Sequence, residues 1–158
     1  MPNRTVDDLV ADAQALFDLR YHCSEAIAIS TCRHYLDPFP AEIAQISCPF
    51  GGGVGGCRDE LCGLLSGAVV ALGALWGRQS CEEDDRWLYE VVCEYRDGFI
   101  QDNGTSVCRP LRDYYAQDGG RCGPLVADAT RKLIELIERV AEQRPEAAAR
   151  LARRVHVS

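Results

Sequence analysis

Three features of this sequence predict an all-α fold, a single-domain bundle of about six helices around a central glycine-striped helix. Apolar residues recur three and four positions apart in segment after segment, the spacing of one helix face. Cap-type residues, glycines and prolines separate those segments. No stretch of any length alternates apolar and polar residues as a half-buried strand would. At 158 residues, with 47% of them hydrophobic, the chain is long and apolar enough for one domain with a real core.

Thr5, followed by Asp7 and Asp8, reads as a helix N-cap with acids in the first turn, where they complement the helix dipole. Leu9, Ala13, Leu16 and Phe17 then mark an apolar face that runs to Leu19. The cap-type residues of 21–25 interrupt it, so a second helix is expected with its joint at Cys23, carrying Ala26, Ile27 and Ile29 and ending near Tyr35. A single bent helix is the alternative. Pro38 and Pro40 close this segment. A short helical turn over 41–46 precedes Cys48 and Pro49, which lead into the glycine loop Gly51-Gly52-Gly53-Val54-Gly55-Gly56.

The helix expected over 61–76 carries Gly63, Gly67 and Ala71 four residues apart, with Gly73 and Gly77 on a second stripe. Glycine costs about 1 kcal/mol against alanine inside a helix. Repeating that cost along one face makes sense where another backbone packs very close. Val69, Val70, Leu72, Leu75 and Trp76 are expected to fill the remaining surface, which makes this helix the core. Ser80 with the acids of 82–85 reads as the cap and first turn of the next helix, whose buried face is Trp87, Leu88, Val91, Val92, Tyr95 and Phe99. Asn103 and Gly104 end it. Thr105 and Ser106 offer a cap for a short helix holding Cys108, Pro110, Leu111 and Tyr114.

Gly119-Gly120-Arg121-Cys122-Gly123-Pro124 is a further loop, and Pro124 suits the first helical position, with Cys122 just before it. Ala129, Leu133, Leu136, Ile137 and Val140 then form a clean helical stripe, which Pro145 breaks. Residues 146–155 read as an arginine-rich amphipathic helix. The expected organisation is therefore a cysteine-bearing helical domain over 1–142 and a basic tail helix within 143–158.

A formal charge of -7 argues against non-specific nucleic-acid binding, which needs basic surface against phosphate. The longest uncharged apolar run, 61–77, falls short of the roughly 20 residues of a membrane span. With no secretory signal at the start, the expected location is cytoplasmic. Nine cysteines in such a setting point to metal or redox chemistry more than to a disulfide scaffold. No C-x-x-C occurs, which removes the thioredoxin-type, zinc-knuckle and c-type haem readings; the closest pair is Cys57 and Cys62.

Cys23, Cys62, Cys108 and Cys122 each fall beside an expected helix start. A thiol held there tends toward a lowered pKa, and the free amide N–H groups and dipole favour an anion. Convergence of the four starts would give a pocket for a thiolate pair or a thiolate-ligated metal cluster. The plainer reading is that they are small buried apolar residues, which is how Cys32 and Cys93 read; Cys81 lies at a helix edge. Gly52, Gly53 and Gly63 are the candidate cofactor-binding backbone. His22 beside Cys23 reads as a ligand, a proton donor or simply an exposed histidine, and Cys57 as a substitute ligand or resolving thiol. Arg109 and Arg121, each next to one of the four cysteines, are candidates to hold a thiolate charged.

These residues carry a resemblance. Cys23-Ser24-Glu25-Ala26, the loop from Phe50 to Gly55, Cys62-Gly63 with Gly67, Ala71 with Gly73, Gly104-Thr105 with Cys108-Arg109 and Leu111, and Cys122 together resemble the C_GCAxxG_C_C family of redox-active proteins. The resemblance spans roughly 10–140 and implies a small helical domain whose four cysteines carry the function. Leu64 departs from it, standing where the family has alanine. A more distant similarity, to the non-haem part of split-Soret cytochromes c, implies an iron-sulfur cluster.

Four functions follow. The first is electron transfer or redox sensing through an iron-sulfur cluster, [2Fe-2S] in type, on Cys23, Cys62, Cys108 and Cys122. The second is thiol–disulfide exchange among the same cysteines, without any cofactor. The third is a closed zinc site of four thiolates, and the fourth a partner-binding helical module whose cysteines are incidental. The expected partner is a redox protein; the glycine stripe or the tail arginines Arg150, Arg153 and Arg154 would serve a homodimer. Whether the protein is an enzyme stays open.

Overall fold

The structure, a computed structural model, describes residues 4–117 and 121–154, the last two as backbone only. Gly119, Gly120 and Val155, assigned above to a loop and to the tail helix, lie outside the described residues. Among those described there are eight α-helices and no strand: α1 Val6–Asp18, α2 Cys23–Tyr35, α3 Glu42–Ser47, α4 Gly63–Trp76, α5 Arg86–Asn103, α6 Cys108–Tyr115, α7 Gly123–Gln143 and α8 Pro145–Arg154. A 3-10 turn, Cys48–Phe50, follows α3 directly. The eight include the short helices at 42–47 and 108–115 and the tail helix, all expected from the sequence.

Local chemistry accounts for most of the boundaries. Thr5 closes a capping box, its hydroxyl accepting from the Asp8 amide at 3.2 Å while the Asp8 carboxylate accepts from the Thr5 amide at 2.7 Å. Gly104 ends α5 in the left-handed conformation, φ 75°. The acidic run behaves otherwise than expected. Ser80 does not cap α5; its hydroxyl accepts from the Glu82 amide in a tight turn, and Asp84 takes the Arg86 amide and guanidinium instead. The helix therefore begins at Arg86, because those acids are satisfied by turn contacts before a helix can start. Similarly, Val107 rather than Thr105 or Ser106 precedes α6.

The core is organised by α2 against α4. Every residue from Ser24 to Cys32 is buried, as are Leu64, Leu65, Ala68, Ala71, Leu72, Leu75 and Trp76 on α4. The glycine stripe is the contact. A Cβ on Gly67 would stand 2.4 Å from the Ser24 carbonyl oxygen and 2.8 Å from the Ser24 Cα. No side chain fits there, so glycine sets the helix separation. Gly73 has open space instead, and Val69 on that side is exposed. Cys93, expected to be buried, is also exposed, because it sits on the outer face of α5. The Leu133, Ile134 and Ile137 stripe of α7 closes the core.

α8 docks on the end of α4. The Trp76 indole N–H donates to the Ala147 carbonyl at 3.3 Å, and Ala147 is fully buried. The Arg150 guanidinium donates to the Trp76 and Gly77 carbonyls at 2.6 and 3.1 Å and pairs with Glu83. A cation on the last carbonyls of a helix complements its dipole. Arg150 is thus engaged within the chain, and α2 covers the Gly63–Gly67 face.

Replacing Gly67 by alanine should lower stability by about 1–3 kcal/mol through overpacking, despite the better helix propensity. Gly73→Ala, with nothing within 4 Å of the new methyl, should raise it by about 0.5–1 kcal/mol. Urea midpoints of the two variants check the pair; equal shifts would contradict the close approach at Gly67.

Candidate functional site

The glycine loop is a left-handed turn. Gly52, Gly53, Val54, Gly55 and Gly56 all have φ between 60° and 74°. Glycine takes that conformation without penalty, whereas a β-branched residue there costs about 1–2 kcal/mol. Val54 therefore carries strain that its neighbours avoid. The Val54, Gly55 and Gly56 amides donate back to the carbonyls of Phe50, Pro49 and Gly51, which closes the turn.

Beyond the loop, one antiparallel bridge pairs Leu61 with Val107. The Cys62 amide donates to the Ser106 carbonyl at 2.7 Å and the Cys108 amide to that of Glu60 at 3.0 Å. This pairing brings Cys62 and Cys108 alongside each other although they are far apart in sequence. A bridge of one residue pair has no alternating pattern to betray it.

Each of the four cysteines stands at a helix start: Cys62 and Cys122 are the N-caps of α4 and α7, and Cys23 and Cys108 are the first residues of α2 and α6. Cys23, Cys108 and Cys122 line one cavity of about 310 Å³, together with Phe17, His22, Gly52, Gly56, Arg58, Arg112 and Arg121. Cys62, buried, sits behind it, and the sulfur of Cys23 lies where a Cβ of Gly63 would be, 2.5 Å away. The four thiols interact electrostatically through Cys23, whose ionisation disfavours that of Cys62, Cys108 and Cys122.

The loop glycines serve this arrangement. Amide N–H groups of Gly52, Ser24 and Gly63 are directed at the Cys23 sulfur, and those of Leu64 and Leu65 at Cys62. Gly53 leaves room for Cys108, whose Cβ a methyl there would meet at 2.6 Å. Burial nevertheless outweighs these donors. It pushes all four thiols up, Cys62 to about 12 and Cys122 to about 11, with repulsion from Cys23 adding to the rise at Cys62, Cys108 and Cys122. The expected lowering at helix starts is therefore overturned: amides and dipoles are present, but desolvation of the charged form is larger.

Arginines surround the cavity: Arg121, one of the two expected beside the cysteines, with Arg58 and Arg112, while Arg109 is not among the lining residues. Arg112 and Arg58 lower Cys108, and Arg112 and Arg121 lower Cys122. Arg121 also stacks over the Phe17 ring at 3.8 Å and donates to the Phe17 carbonyl. Arg109 turns away to Asp59 at 2.6 Å and to the Cys57 carbonyl. Arg112 lies one helical turn beyond Cys108, an i, i+4 relation that could have revealed it. Cys57 is exposed, its sulfur 2.8 Å from the Gly53 carbonyl. Among the described residues, the one trio of potential metal-ligating atoms lying within 4.8 Å of one another is His22, Glu25 and Cys48, outside the four-cysteine set.

Fold and site together define a helical protein with cysteines at four helix starts, three of them lining one arginine-rimmed hollow. The family model described as "Putative redox-active protein (C_GCAxxG_C_C)" matches residues 21–136. The chain belongs to that family. Searches of curated proteins and of solved structures gave no match. No described helix is long and apolar enough to cross a membrane.

In the reduced, metal-free protein the raised thiols set a pH limit. Their ordinary value is 9.0, so the unfolded chain loses these protons first as pH rises. The stability they allow is fully present below about pH 9 and is lost as pH climbs through 11 to 12. Urea midpoints taken with reductant and chelator should fall across pH 9–11, and fall less in Cys62→Ser; an equal fall in both would contradict a buried neutral Cys62.

Proposed function

We propose that Cys23, Cys62, Cys108 and Cys122 together hold an iron-sulfur cluster of the [2Fe-2S] class, through which this redox-family protein transfers or senses electrons. The observation that carries this reading is a mismatch at the sulfurs. Cys23 and Cys62 receive amide N–H groups, all four thiols stand at helix starts, and Arg58, Arg112 and Arg121 rim the hollow, yet burial raises every thiol pKa and disfavours the bare thiolate. Such a site suits thiolates whose charge is shared with a metal centre, since ligation displaces the thiol proton outright. When bound, the cluster would supply reversible one-electron chemistry, its potential tuned by surrounding charge and N–H donors.

The chain's own contributions would then be distinct. Cys23 occupies the middle of the thiol set, with Gly52 and Gly63 donating to it. Cys62 is the best shielded from water. The arginines would offset the net negative charge that four thiolates bring, and Phe17 would exclude water on one side. The competing readings fit less well. A thiol with a pKa of about 11 is thiolate to only about one part in 10⁴ at pH 7, which makes a poor nucleophile for disulfide exchange. Four thiolates on one tetrahedral zinc stand about 3.8 Å apart, and no three of these thiols are gathered within 4.8 Å of one another. A larger centre suits their spread.

Protein purified without oxygen should be brown, with visible absorbance and matched iron and acid-labile sulfide. Cys62→Ser and Cys23→Ser should each lose the visible band while keeping the helical far-UV circular dichroism. A colourless wild type whose thiols oxidise and reduce reversibly in one pair would replace this reading with disulfide exchange.

A further inference from the structure

His22 and Glu25, the N-cap and a first-turn residue of α2, meet Cys48 from a second part of the chain, the start of the 3-10 turn after α3. Their ligand atoms all lie within 4.8 Å of one another. We propose that they form a second metal site, a three-ligand site for a zinc-class divalent cation, with an open position facing the cavity under the glycine loop.

The donor set is mixed imidazole nitrogen, carboxylate oxygen and thiolate sulfur. That combination suits a borderline ion such as Zn²⁺ or Co²⁺ and is poor for Mg²⁺ or Ca²⁺, which favour oxygen alone. Three protein ligands with a vacant fourth position is the pattern of an open zinc site rather than a closed structural one. The vacancy has somewhere to face: a cavity of about 340 Å³ lined by His22, Cys48, Pro49, Gly51, Gly52, Gly55 and Gly56.

The protein holds these ligands in place without a metal. Glu25 is buried, 8% exposed, and one carboxylate oxygen accepts from the His22 amide at 2.8 Å, which leaves the other oxygen for a cation. Its charge sits on the first turn of α2, where the dipole favours it. Gly51 places the imidazole. A Cβ at Gly51 would stand 2.5 Å from His22 Cγ and 2.6 Å from its Cβ. Gly51 has φ -59° and ψ 143°, a conformation open to any residue, so the ring, not the backbone, demands glycine there. Ser47 anchors the Cys48 side by donating its hydroxyl to the Ile43 carbonyl at 2.7 Å.

This site does not depend on the cluster, and the test separates the two. Zinc binding to the full chain, purified without oxygen, is measured by equilibrium dialysis against a chromophoric chelator, and Co²⁺ is added in parallel. The wild type and Cys62→Ser should both take one zinc that Cys48→Ser and His22→Asn bind at least tenfold more weakly. The thiolate-to-Co²⁺ charge-transfer band in the near ultraviolet should vanish in Cys48→Ser and persist in Cys62→Ser. Gly51→Ala, which removes no ligand, should also weaken zinc at least tenfold with circular dichroism unchanged. Equal zinc affinity in wild type and Cys48→Ser, or no zinc bound by Cys62→Ser, would overturn the site. Loss of the visible band in Cys62→Ser with zinc retained would leave both readings standing.

Discussion

The close approach of α2 and α4 is the constraint on which the remaining structure depends. At Gly67 the two backbones meet with no space for a methyl, and one turn earlier, at Gly63, the sulfur of Cys23 occupies the same kind of gap. The stripe that packs the core is therefore also the stripe that seats the site. Moving α2 outward by the width of a methyl group would take Cys23 away from the start of α4, and with it the amide of Gly63. Core density and site geometry are set by the same pair of residues, Gly63 and Gly67, while Gly73 on the same helix has open space beside it.

A second consequence concerns charge. The chain carries a formal -7, yet three of its arginines are gathered around one hollow that contains no carboxylate among its lining residues. Arg121 is held there by the Phe17 ring and carbonyl, and Arg112 by its position on α6. Guanidinium groups keep their charge when partly buried and present fixed N–H donors. Concentrating them beside the cysteine sulfurs, while Arg109 is drawn off to Asp59, gives the hollow a local sign opposite to that of the whole protein.

Much of this was legible in the sequence, and the parts that were not share a cause. Helical spacing revealed every major element, because amphipathic faces such as that of α7 are written directly in residue order. The Gly63–Gly67 stripe announced a close neighbour, and the four cysteines fell at four helix starts as their flanking caps and prolines indicated. What escaped was whatever depends on residues distant in sequence. The Leu61–Val107 bridge is one residue pair deep and leaves no periodic trace. The direction of the thiol pKa values depends on how much protein covers each sulfur, and burial overrode the helix-start effect that sequence alone could invoke. The Ser80–Asp85 run carried an N-terminal signature, but its acids were taken by Arg86, Gln79 and Arg150 before any helix began.

The glycine loop borders both hollows. Gly52 and Gly56 line both the four-cysteine cavity and the one beside Cys48, as does His22. His22 and Cys23 are consecutive, so the start of α2 sets an imidazole on the border of both hollows and a thiol in one of them. A left-handed turn is a stiff wall, because its hydrogen bonds run back to Pro49, Phe50 and Gly51 and its backbone has few alternatives. A cation drawing Cys48 and His22 together would press on the same turn that donates the Gly52 amide to Cys23. Were both proposed sites filled, this shared turn would be the route by which one could alter the N–H donors around the sulfur of the other.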